Sequence, residues 1–421
     1  MSEAKDLSRR NFLRKASLVS GGALMTGSQL WANENIPNTP PNVPSWMRKT
    51  GKTVGAAPYG VPSLHESDIV RKTVPWLTAS PISSVSFSPL HALKGIITPS
   101  SLHFERHHSG VPDVSPDEHR LMIHGLCDNP LVFDMDDLAR FPSVTEIRFI
   151  ECPANGGMEW RGPQMEALQF THGMLSCSEW TGVRLSTLLA EVGVKKAAKW
   201  ILAEGADGAA MGRSIPIEKA LDDVIVAYAQ NGEMIRPEQG YPIRLVNPGW
   251  EGNTSVKWLR RIELGDKPWH LREETSKYTD VMPDGSARQF TWVQEANSVI
   301  ASICPENPLK NRGFHEVEGV AWSGRGKIKH VDVSFDGGIS WQRASLKGLI
   351  LDKALTRFSF NWNWDGSPKL MQSRAIDETG YVQPTLEQLR AVRGLNSIYH
   401  KNSIQTWQLS HTGEVKNAQR S

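Results

Sequence analysis

Short runs of alternating hydrophobic and polar residues fill the last third of the chain. Val331, Val333 and Phe335 alternate with Asp332 and Ser334, and a glycine-rich turn follows. Such alternation with closely spaced turns is typical of antiparallel strands that bury one face. The pattern predicts strands at 316–322, 328–335, 340–344, 357–364 and 404–409, and a helix at 385–392. We therefore predict a separate β-sandwich over residues 288–415.

The middle of the chain mixes strand and helix periods. Residues 120–125 and 144–151 have strand character, and 184–191 place three leucines on one helical face. A further alternating run leads to Asn231-Gly232, a dipeptide typical of two-residue hairpins. A chain of 421 residues exceeds what one core usually organises. We predict a mixed α/β domain over residues 33–287 ahead of the sandwich, and hence an α+β protein.

The first 32 residues have a different character. An arginine pair, Arg9-Arg10, precedes a moderately apolar run at 16–30 and a small-residue site near Ala32. This order is typical of a twin-arginine export signal. We predict a signal peptide over residues 1–32 and a periplasmic location; the alternative is a basic amphipathic helix. Because this route exports folded proteins, a complex cofactor is expected.

Charge and cysteine content exclude several classes of protein. The 47 basic and 45 acidic residues nearly cancel, which argues against a nucleic-acid surface, and no apolar run is long enough to span a bilayer. The four cysteines form no CxxC or CxxCH motif, so neither haem nor an iron–sulfur cluster is expected in this chain. Whether any of Cys127, Cys177 and Cys304 form a disulfide stays open.

Cys152 follows a predicted strand and precedes the small residues Pro153-Ala154-Asn155-Gly156-Gly157. A bulky group can approach a thiolate there, and a thiolate suits a soft metal centre; the alternative is a buried structural cysteine. Two other stretches, 104–112 and 241–258, combine arginine, lysine, histidine and serine with glycine-rich turns. Such groups bind phosphate-bearing ligands.

In this order the three stretches resemble the sulfite oxidase family of molybdopterin oxidoreductases, from about residue 88 to 410. Residues 319–324 and 331–338 resemble the family's immunoglobulin-like dimerisation domain. Residues 156–162 and 272–278 resemble its sulfane dehydrogenase subgroup, from the periplasmic thiosulfate-oxidation (Sox) pathway. The resemblance implies a sulfite-oxidase-type molybdopterin-binding domain followed by the dimerisation sandwich.

The resemblance also implies a role for each matched residue. Cys152 is the implied molybdenum ligand, and one molybdopterin is implied per chain. The implied catalytic residues are Cys152, Arg106, Tyr278, Lys327 and Trp180. The implied cofactor-binding residues are Phe104, Arg106, His107, His108, Asp207, Ser214, Arg244, Ser255 and Lys257.

The implied reaction is oxidation of sulfane sulfur on a carrier protein by oxygen-atom transfer from water. Electrons would pass to a c-type cytochrome subunit, and the chain would dimerise through its C-terminal domain. Gly157 and Lys327 stand where the family typically has arginines, and Gln239 where it has a histidine. Fewer guanidinium groups favour carrier-bound sulfur over a free dianion, although Arg161 or Arg325 could compensate. The alternative is a dehydrogenase acting on free sulfite.

Three other interpretations stay open at this point. His103, His107 and His108 could bind zinc if they were helical, but prolines and glycines flank them. Methionine sulfoxide-reducing relatives resemble only the first domain, so the predicted sandwich argues against that activity. A non-catalytic exported interaction module would fold without any cofactor.

Overall fold

The computed structural model describes residues 62–418 together with Met47. The predicted export signal, residues 1–32, lies outside the described residues. All elements given below belong to one compact unit, Glu66–Ser421. No helix in the described part of the chain is both long and apolar enough to cross a membrane.

Strands dominate the described residues, and their bounds follow in chain order. Up to residue 290 they are β1 (Lys72–Thr73), β2 (Val85–Phe87), β3 (Glu105–Arg106), β4 (Leu121–Gly125), β5 (Leu131–Phe133), β6 (Ser143–Glu151), β7 (Leu175–Arg184), β8 (Trp200–Gly205), β9 (Gly212–Pro216), β10 (Ile225–Gln230), β11 (Glu233–Met234), β12 (Arg244–Val246), β13 (Leu259–Gly265), β14 (Asp280–Val281) and β15 (Ala287–Arg288). After it they are β16 (Asn297–Ile300), β17 (Gly313–Trp322), β18 (Ile328–Ser334), β19 (Gln342–Arg343), β20 (Ser345–Lys347), β21 (Thr356–Trp364), β22 (Lys369–Asp377), β23 (Thr406–Leu409) and β24 (Val415–Asn417).

The helices are short. They are α1 (Met135–Arg140), α2 (Leu168–His172), α3 (Leu185–Val192), α4 (Ile217–Asp222), α5 (Arg272–Thr275) and α6 (Leu386–Arg393). α3 buries the leucine face that the sequence predicts and ends at Gly193, whose left-handed backbone suits a helix C-terminus. α6 begins after Thr385, whose hydroxyl accepts from the Gln388 backbone while the Gln388 side chain accepts from Thr385 N.

Two five-stranded sheets organise the first part of the chain. One has the order β5-β4-β13-β8-β9, with β4 parallel to β13. The other runs β11-β10-β7-β6, with β12 also paired to β10. β10 and β11 form the predicted hairpin at Asn231-Gly232. In the second sheet the ends of β6 and β12 deliver residues to the site described below.

Two further sheets form the predicted β-sandwich. Their orders are β16-β17-β21-β20 and β19-β18-β22-β23-β24. Large buried side chains from both, including Trp322, Phe358, Met371 and Trp407, share one apolar cluster with Phe149 of β6. The α+β fold class is therefore confirmed, and β6 packs against the sandwich.

β22 has no counterpart in the strands that the sequence predicts. Its polar residues Gln372 and Ser373 are buried, and each hydrogen-bonds a side chain of another strand. The alternation of apolar and polar residues that would predict a strand is therefore absent from β22. Asp332, predicted to face solvent, is also buried, because Arg343 and Arg374 contact its two carboxylate oxygens at 2.8 and 3.0 Å.

Candidate active site

Cys152 lies in a tightly bonded turn just after β6. Its backbone N–H donates to Met174 O over 3.0 Å, and its carbonyl accepts from Asn155 N over 2.9 Å. The Asn155 side chain donates to Glu151 Oε1 and accepts from Met174 N. The thiol is 6 % exposed, and burial raises its pKa to about 11. It is therefore protonated at neutral pH unless a cation binds to it.

The thiol opens onto a cavity of about 650 Å³, called here the cationic cavity. Loops from distant parts of the chain form its walls: the residues around β3, the turn after β8, the start of β12 and the segment before β13. Ten of the thirteen residues implied from the sequence line it: Phe104, Arg106, His107, His108, Cys152, Asp207, Arg244, Ser255, Lys257 and Tyr278.

The buried Arg244 and the half-buried Lys257 are held in fixed positions on one wall. The Arg244 guanidinium donates to Gln239 O and Ser255 O, each over 2.9 Å. Lys257 Nζ donates to Glu238 O over 3.0 Å and lies 2.8 Å from His107 Nδ1. These contacts fix the positive groups before any ligand arrives.

A second cavity, of about 1470 Å³, is called here the access cavity. It shares Arg106, His108, Cys152 and Tyr278 with the cationic cavity. Its other walls carry two cations, three methionines and several apolar or aromatic side chains, among them Arg272, Lys277, Met158, Met165, Met174, Phe170, Ile398 and Tyr399. The two cavities therefore meet at Cys152.

Tyr278 stands at this junction. Its hydroxyl lies 3.4 Å from His108 Nε2, and the Arg213 guanidinium lies 5.8 Å from its ring centroid. Burial and the nearby Cys152 raise the pKa of its phenol above the usual range, so the phenol is a proton donor at neutral pH. Its backbone has a φ of +54°, which is uncommon for a residue with a large side chain.

Comparisons with known proteins match both parts of the chain. Residues 108–272 match the family model "Oxidoreductase molybdopterin binding domain", and residues 288–407 match "Mo-co oxidoreductase dimerisation domain". In a solved structure, one chain of the sulfane dehydrogenase SoxCD from Paracoccus pantotrophus superimposes with a TM-score of 0.89 at 54% identity. That match covers 91% of this chain and 100% of the other.

The chain belongs to the sulfite oxidase family of molybdopterin oxidoreductases. The mitochondrial sulfite oxidase of Mus musculus is 30% identical over 341 residues, covering 74% of this chain and 62% of that protein. The NADH nitrate reductase of Ulva prolifera is 33% identical over 302 residues, covering 64% and 34% respectively. The chain thus spans about a third to three fifths of the length of these curated relatives. The family expected from the sequence is confirmed.

The cationic cavity fits the cofactor of the sulfite oxidase family. Burial and the nearby Arg244 lower the pKa of Lys257 well below its usual value, and burial lowers that of Arg244 to about 9. Crowded, desolvated cations of this kind favour an anionic ligand such as a phosphate. Among the described residues His103 Nε2 has no hydrogen-bond partner, although it is buried in the same wall. Cys152 supplies one soft donor beside them.

Three residues implied from the sequence line neither cavity. Ser214 Oγ donates to Glu274 Oε2 and accepts from the Trp269 backbone N–H, each over 3.0 Å, so both hydrogen bonds of the hydroxyl lie within the protein. Trp180 is 0 % exposed and lies behind Arg244, whose guanidinium is 5.0 Å from the indole centroid. Lys327 is exposed, and its backbone N–H donates to Glu378. Their positions therefore correct the contact roles that the resemblance implies.

The departures from the family pattern have a structural reason at one position. A β-carbon at Gly157 would lie 2.4 Å from the carbonyl oxygen of Ile398, so no side chain fits there without backbone movement. Neither possible substitute reaches the cavities: Arg161 is exposed, and Arg325 pairs with Glu295 at 2.8 Å. Gln239 lines the cationic cavity and donates to Phe104 O over 3.0 Å.

The alternative zinc interpretation has no geometric support. The residues between His103 and His107 include the extended β3 and no helix. His107 Nε2 pairs with Glu105 at 2.7 Å. Within residues 62–418 no group of three or more His, Cys, Asp or Glu side chains is placed to hold a metal ion.

Arg272, Lys277 and Tyr399 also line the access cavity, although no motif in the sequence marks them individually as wall residues. Arg272 and Lys277 fall in the segment that resembles the sulfane dehydrogenase subgroup. Tyr399 lies far from every motif. All four cysteines are free thiols in the structure.

Proposed function

We propose that the chain is the molybdenum-binding subunit of a periplasmic enzyme that oxidises sulfane sulfur held on a carrier protein. In this proposal electrons leave to a c-type cytochrome subunit. The observation that carries the proposal is the meeting of two cavities at Cys152, one built for an anionic cofactor and one for a substrate. The 54% identity to a sulfane dehydrogenase chain over its whole length supports the substrate class.

The cofactor of the family would occupy the cationic cavity. Cys152 would bind the metal, and Arg244, Ser255 and Lys257 would hold the pterin phosphate. When bound, this cofactor supplies two-electron oxidation coupled to oxygen-atom transfer from water.

The chain's own residues orient the substrate at the cavity junction. Arg106 places a positive charge there, where negative charge develops on the substrate oxygen. Tyr278 Oη holds its proton and can donate a hydrogen bond to the same oxygen. Burial lowers the pKa of His108 to about 3, so its ring is neutral and can accept from Tyr278 between turnovers.

The access cavity supports carrier-bound sulfur rather than free sulfite. Its space of about 1470 Å³ includes open solvent at its mouth, so the cavity is an open passage and does not enclose a small dianion. Met158, Met165 and Met174 give it soft, adaptable walls, and Gly157 contributes no cation. A peptide arm that presents a terminal sulfur would fit such a passage. The alternative, a dehydrogenase of free sulfite, relies on Arg106, Arg272 and Lys277 to bind the dianion.

The wider organisation belongs to the same proposal. Residues 33–287 would form the molybdopterin-binding domain and 288–415 the dimerisation domain, after an export signal at 1–32. The match of residues 288–407 to the family model "Mo-co oxidoreductase dimerisation domain" supports a homodimer through this domain.

Metal analysis and kinetics test the function together. The purified full chain is expected to hold about one molybdenum per chain, because Cys152 is the one thiolate at the junction of the two cavities. Turnover is measured with ferricyanide as acceptor, on sulfite and on a persulfidated cysteine peptide that stands in for the carrier arm. The peptide is expected to be the better substrate; a sulfite rate equal to or above it would establish the alternative.

Cys152→Ser tests the metal ligand directly. It is expected to abolish turnover and to lower molybdenum content. Cys127→Ser is the matched control, because Cys127 is also buried but lines neither cavity. Wild-type rates in Cys152→Ser would remove this residue from the mechanism.

A further inference from the structure

One stretch of chain crosses the Cys152 turn from outside. Residues 393–402, called here the crossing segment, connect the end of α6 to β23. The His400 backbone N–H donates to Pro153 O over 2.7 Å, and His400 Nε2 lies 3.1 Å from Glu251 Oε1. The Ile398 carbonyl occupies the space beside Gly157. The crossing segment is therefore fastened to the residues that follow Cys152.

The same segment is also fastened beside Tyr278. Ser397 Oγ donates to Asp280 Oδ1 over 2.7 Å, and Arg393 pairs with Asp280 Oδ2 at 3.3 Å. Asp280 follows Tyr278 by two residues, and all three of these polar side chains are buried. One short stretch thus connects the turn that carries the thiol with the turn that carries the phenol.

Tyr399 lies between these two attachment points. Its side chain is 7 % exposed and lines the access cavity. Its ring centroid is 5.1 Å from that of Tyr278, with 39° between the ring planes. Burial raises the pKa of Tyr399. Tyr399 therefore packs with its buried ring against the ring of Tyr278.

Tyr278 needs such support because its backbone is in the left-handed region. A φ of +54° in a residue with a bulky side chain persists only when the surrounding structure imposes it. Thr279 Oγ1 donates to Glu274 O and holds one side of the turn. On the other side Ser397 and Arg393 of the crossing segment hold Asp280, which also pairs with β15.

We propose that Tyr399 is a positioning residue that holds Tyr278 at the cavity junction and forms the substrate-facing wall beside it. The inference rests on the proposed function, because it assigns Tyr278 a role toward the substrate. Tyr399 acts through Tyr278 and through the shape of the wall. The crossing segment sets that shape, because the Ile398 carbonyl excludes a side chain at position 157.

Two substitutions separate the hydroxyl from the ring. Tyr399→Phe keeps the ring that packs on Tyr278 and is expected to keep kcat/KM on the persulfidated peptide within about twofold of the wild type. Tyr399→Ala removes that ring and is expected to lower kcat/KM by roughly 100-fold through misplacement of Tyr278. The loss is expected mainly in kcat, because a displaced Tyr278 affects the transition state more than substrate binding.

A double-mutant cycle distinguishes positioning from a merely structural role. In a Tyr278→Phe background, Tyr399→Ala is expected to lower kcat/KM by far less than it does in the wild type, because the hydroxyl that Tyr399 positions is already gone. Molybdenum content and melting temperature of Tyr399→Phe are expected to equal those of the wild type. Leu395→Ala is the matched control, since Leu395 lies on the same segment and is exposed.

A measurement without turnover tests the wall itself. In full-length protein prepared without cofactor, alkylation of Cys152 by iodoacetamide is expected to be several-fold faster in Tyr399→Ala. Leu395→Ala is expected to react at the wild-type rate. An unchanged alkylation rate in Tyr399→Ala would overturn the proposal that Tyr399 forms this wall of the access cavity.

The two proposals fail in different ways. Wild-type kcat/KM in Tyr399→Ala, or additive losses in the cycle, would overturn the positioning role while the proposed function stands. Absence of molybdenum from the purified wild-type chain would overturn the proposed function. The alkylation rate of Cys152 would still decide whether Tyr399 forms part of the wall of the access cavity.

Discussion

The indole N–H of Trp322 donates to Glu151 Oε2 over 2.7 Å, and both side chains are buried. Trp322 ends β17 of the sandwich, whereas Glu151 ends β6 immediately before Cys152. Burial raises the pKa of Glu151 to about 7, and hydrogen bonds from Asn155 and Trp322 oppose the rise. The sandwich therefore helps to hold the residue that precedes the proposed metal ligand.

Trp322→Phe removes the indole N–H and with it the hydrogen bond to Glu151 Oε2. The free energy of unfolding is expected to fall by about 1–3 kcal/mol, measured by urea titration. Trp407→Phe is the matched control, because that buried indole donates to Ile300 O within the sandwich. Both variants lose stability, but only Trp322→Phe is expected to lower molybdenum content; equal contents would contradict the link to Cys152.

A fully buried ion pair provides a second test. Arg213 and Glu251 are both 0 % exposed, with Nη1 and Oε2 3.0 Å apart. Arg213→Met leaves the Glu251 carboxylate without its main cation, and the free energy of unfolding is expected to fall by about 3–5 kcal/mol. Adding Glu251→Gln should restore part of it. The pair of the exposed Arg260 with Glu204 is the control, where Arg260→Met should cost at most about 1 kcal/mol because Arg261 still pairs with Glu204.

Arg244 is the cation on which cofactor retention should depend most. Its guanidinium is fixed by two carbonyl oxygens and by the ring of Trp180. Arg244→Gln is expected to abolish molybdenum retention, and Trp180→Leu to reduce it, because a cation–π contact contributes about 0.5–2 kcal/mol. Molybdenum per chain after gel filtration is the measurement. Arg140→Gln, at an exposed position on α1, should retain wild-type content.

Acid should destabilise the protein through a buried histidine. Burial lowers the pKa of His172 from 6.5 to about 3. Between these values the unfolded chain binds a proton that the folded protein does not, so stability falls as the pH falls, by about 1.4 kcal/mol per pH unit. Above pH 6.5 this contribution is constant. The loss between pH 7.5 and 5.0 from this residue is thus about 2 kcal/mol.

Substitution of His172 checks the pH effect. His172→Gln should reduce the loss of unfolding free energy between pH 7.5 and 5.0 by about 2 kcal/mol, whatever its effect on stability at pH 7.5. The share of His103 and His108, whose pKa burial also lowers to about 3, should remain. His411→Gln, at an exposed turn, should leave the pH dependence as in the wild type. A His172→Gln profile parallel to the wild type would assign the acid effect to other groups.

Local patterns in the sequence were sufficient for much of the fold and for the centre of the site. The alternation in 328–335 predicts β18, and the leucine spacing in 184–191 predicts α3, because strand and helix periods are local properties. The strand that ends before Cys152 is likewise predicted from its own residues. β22 was missed because buried polar pairs, such as Ser373 with Ser298, erase the alternation.

The membership of the cavities was decided by tertiary structure. Ser214, Trp180 and Lys327 match the family by position but do not line the cavities. The Ser214 hydroxyl is hydrogen-bonded to Glu274, Arg244 lies between Trp180 and the cationic cavity, and Lys327 is exposed. Tyr399 reaches Tyr278 across 121 positions of sequence. The sequence by itself determines the chemical groups and the local strand and helix periods. Which loops meet around Cys152 depends on contacts between residues far apart in the chain, and no local pattern encodes those contacts.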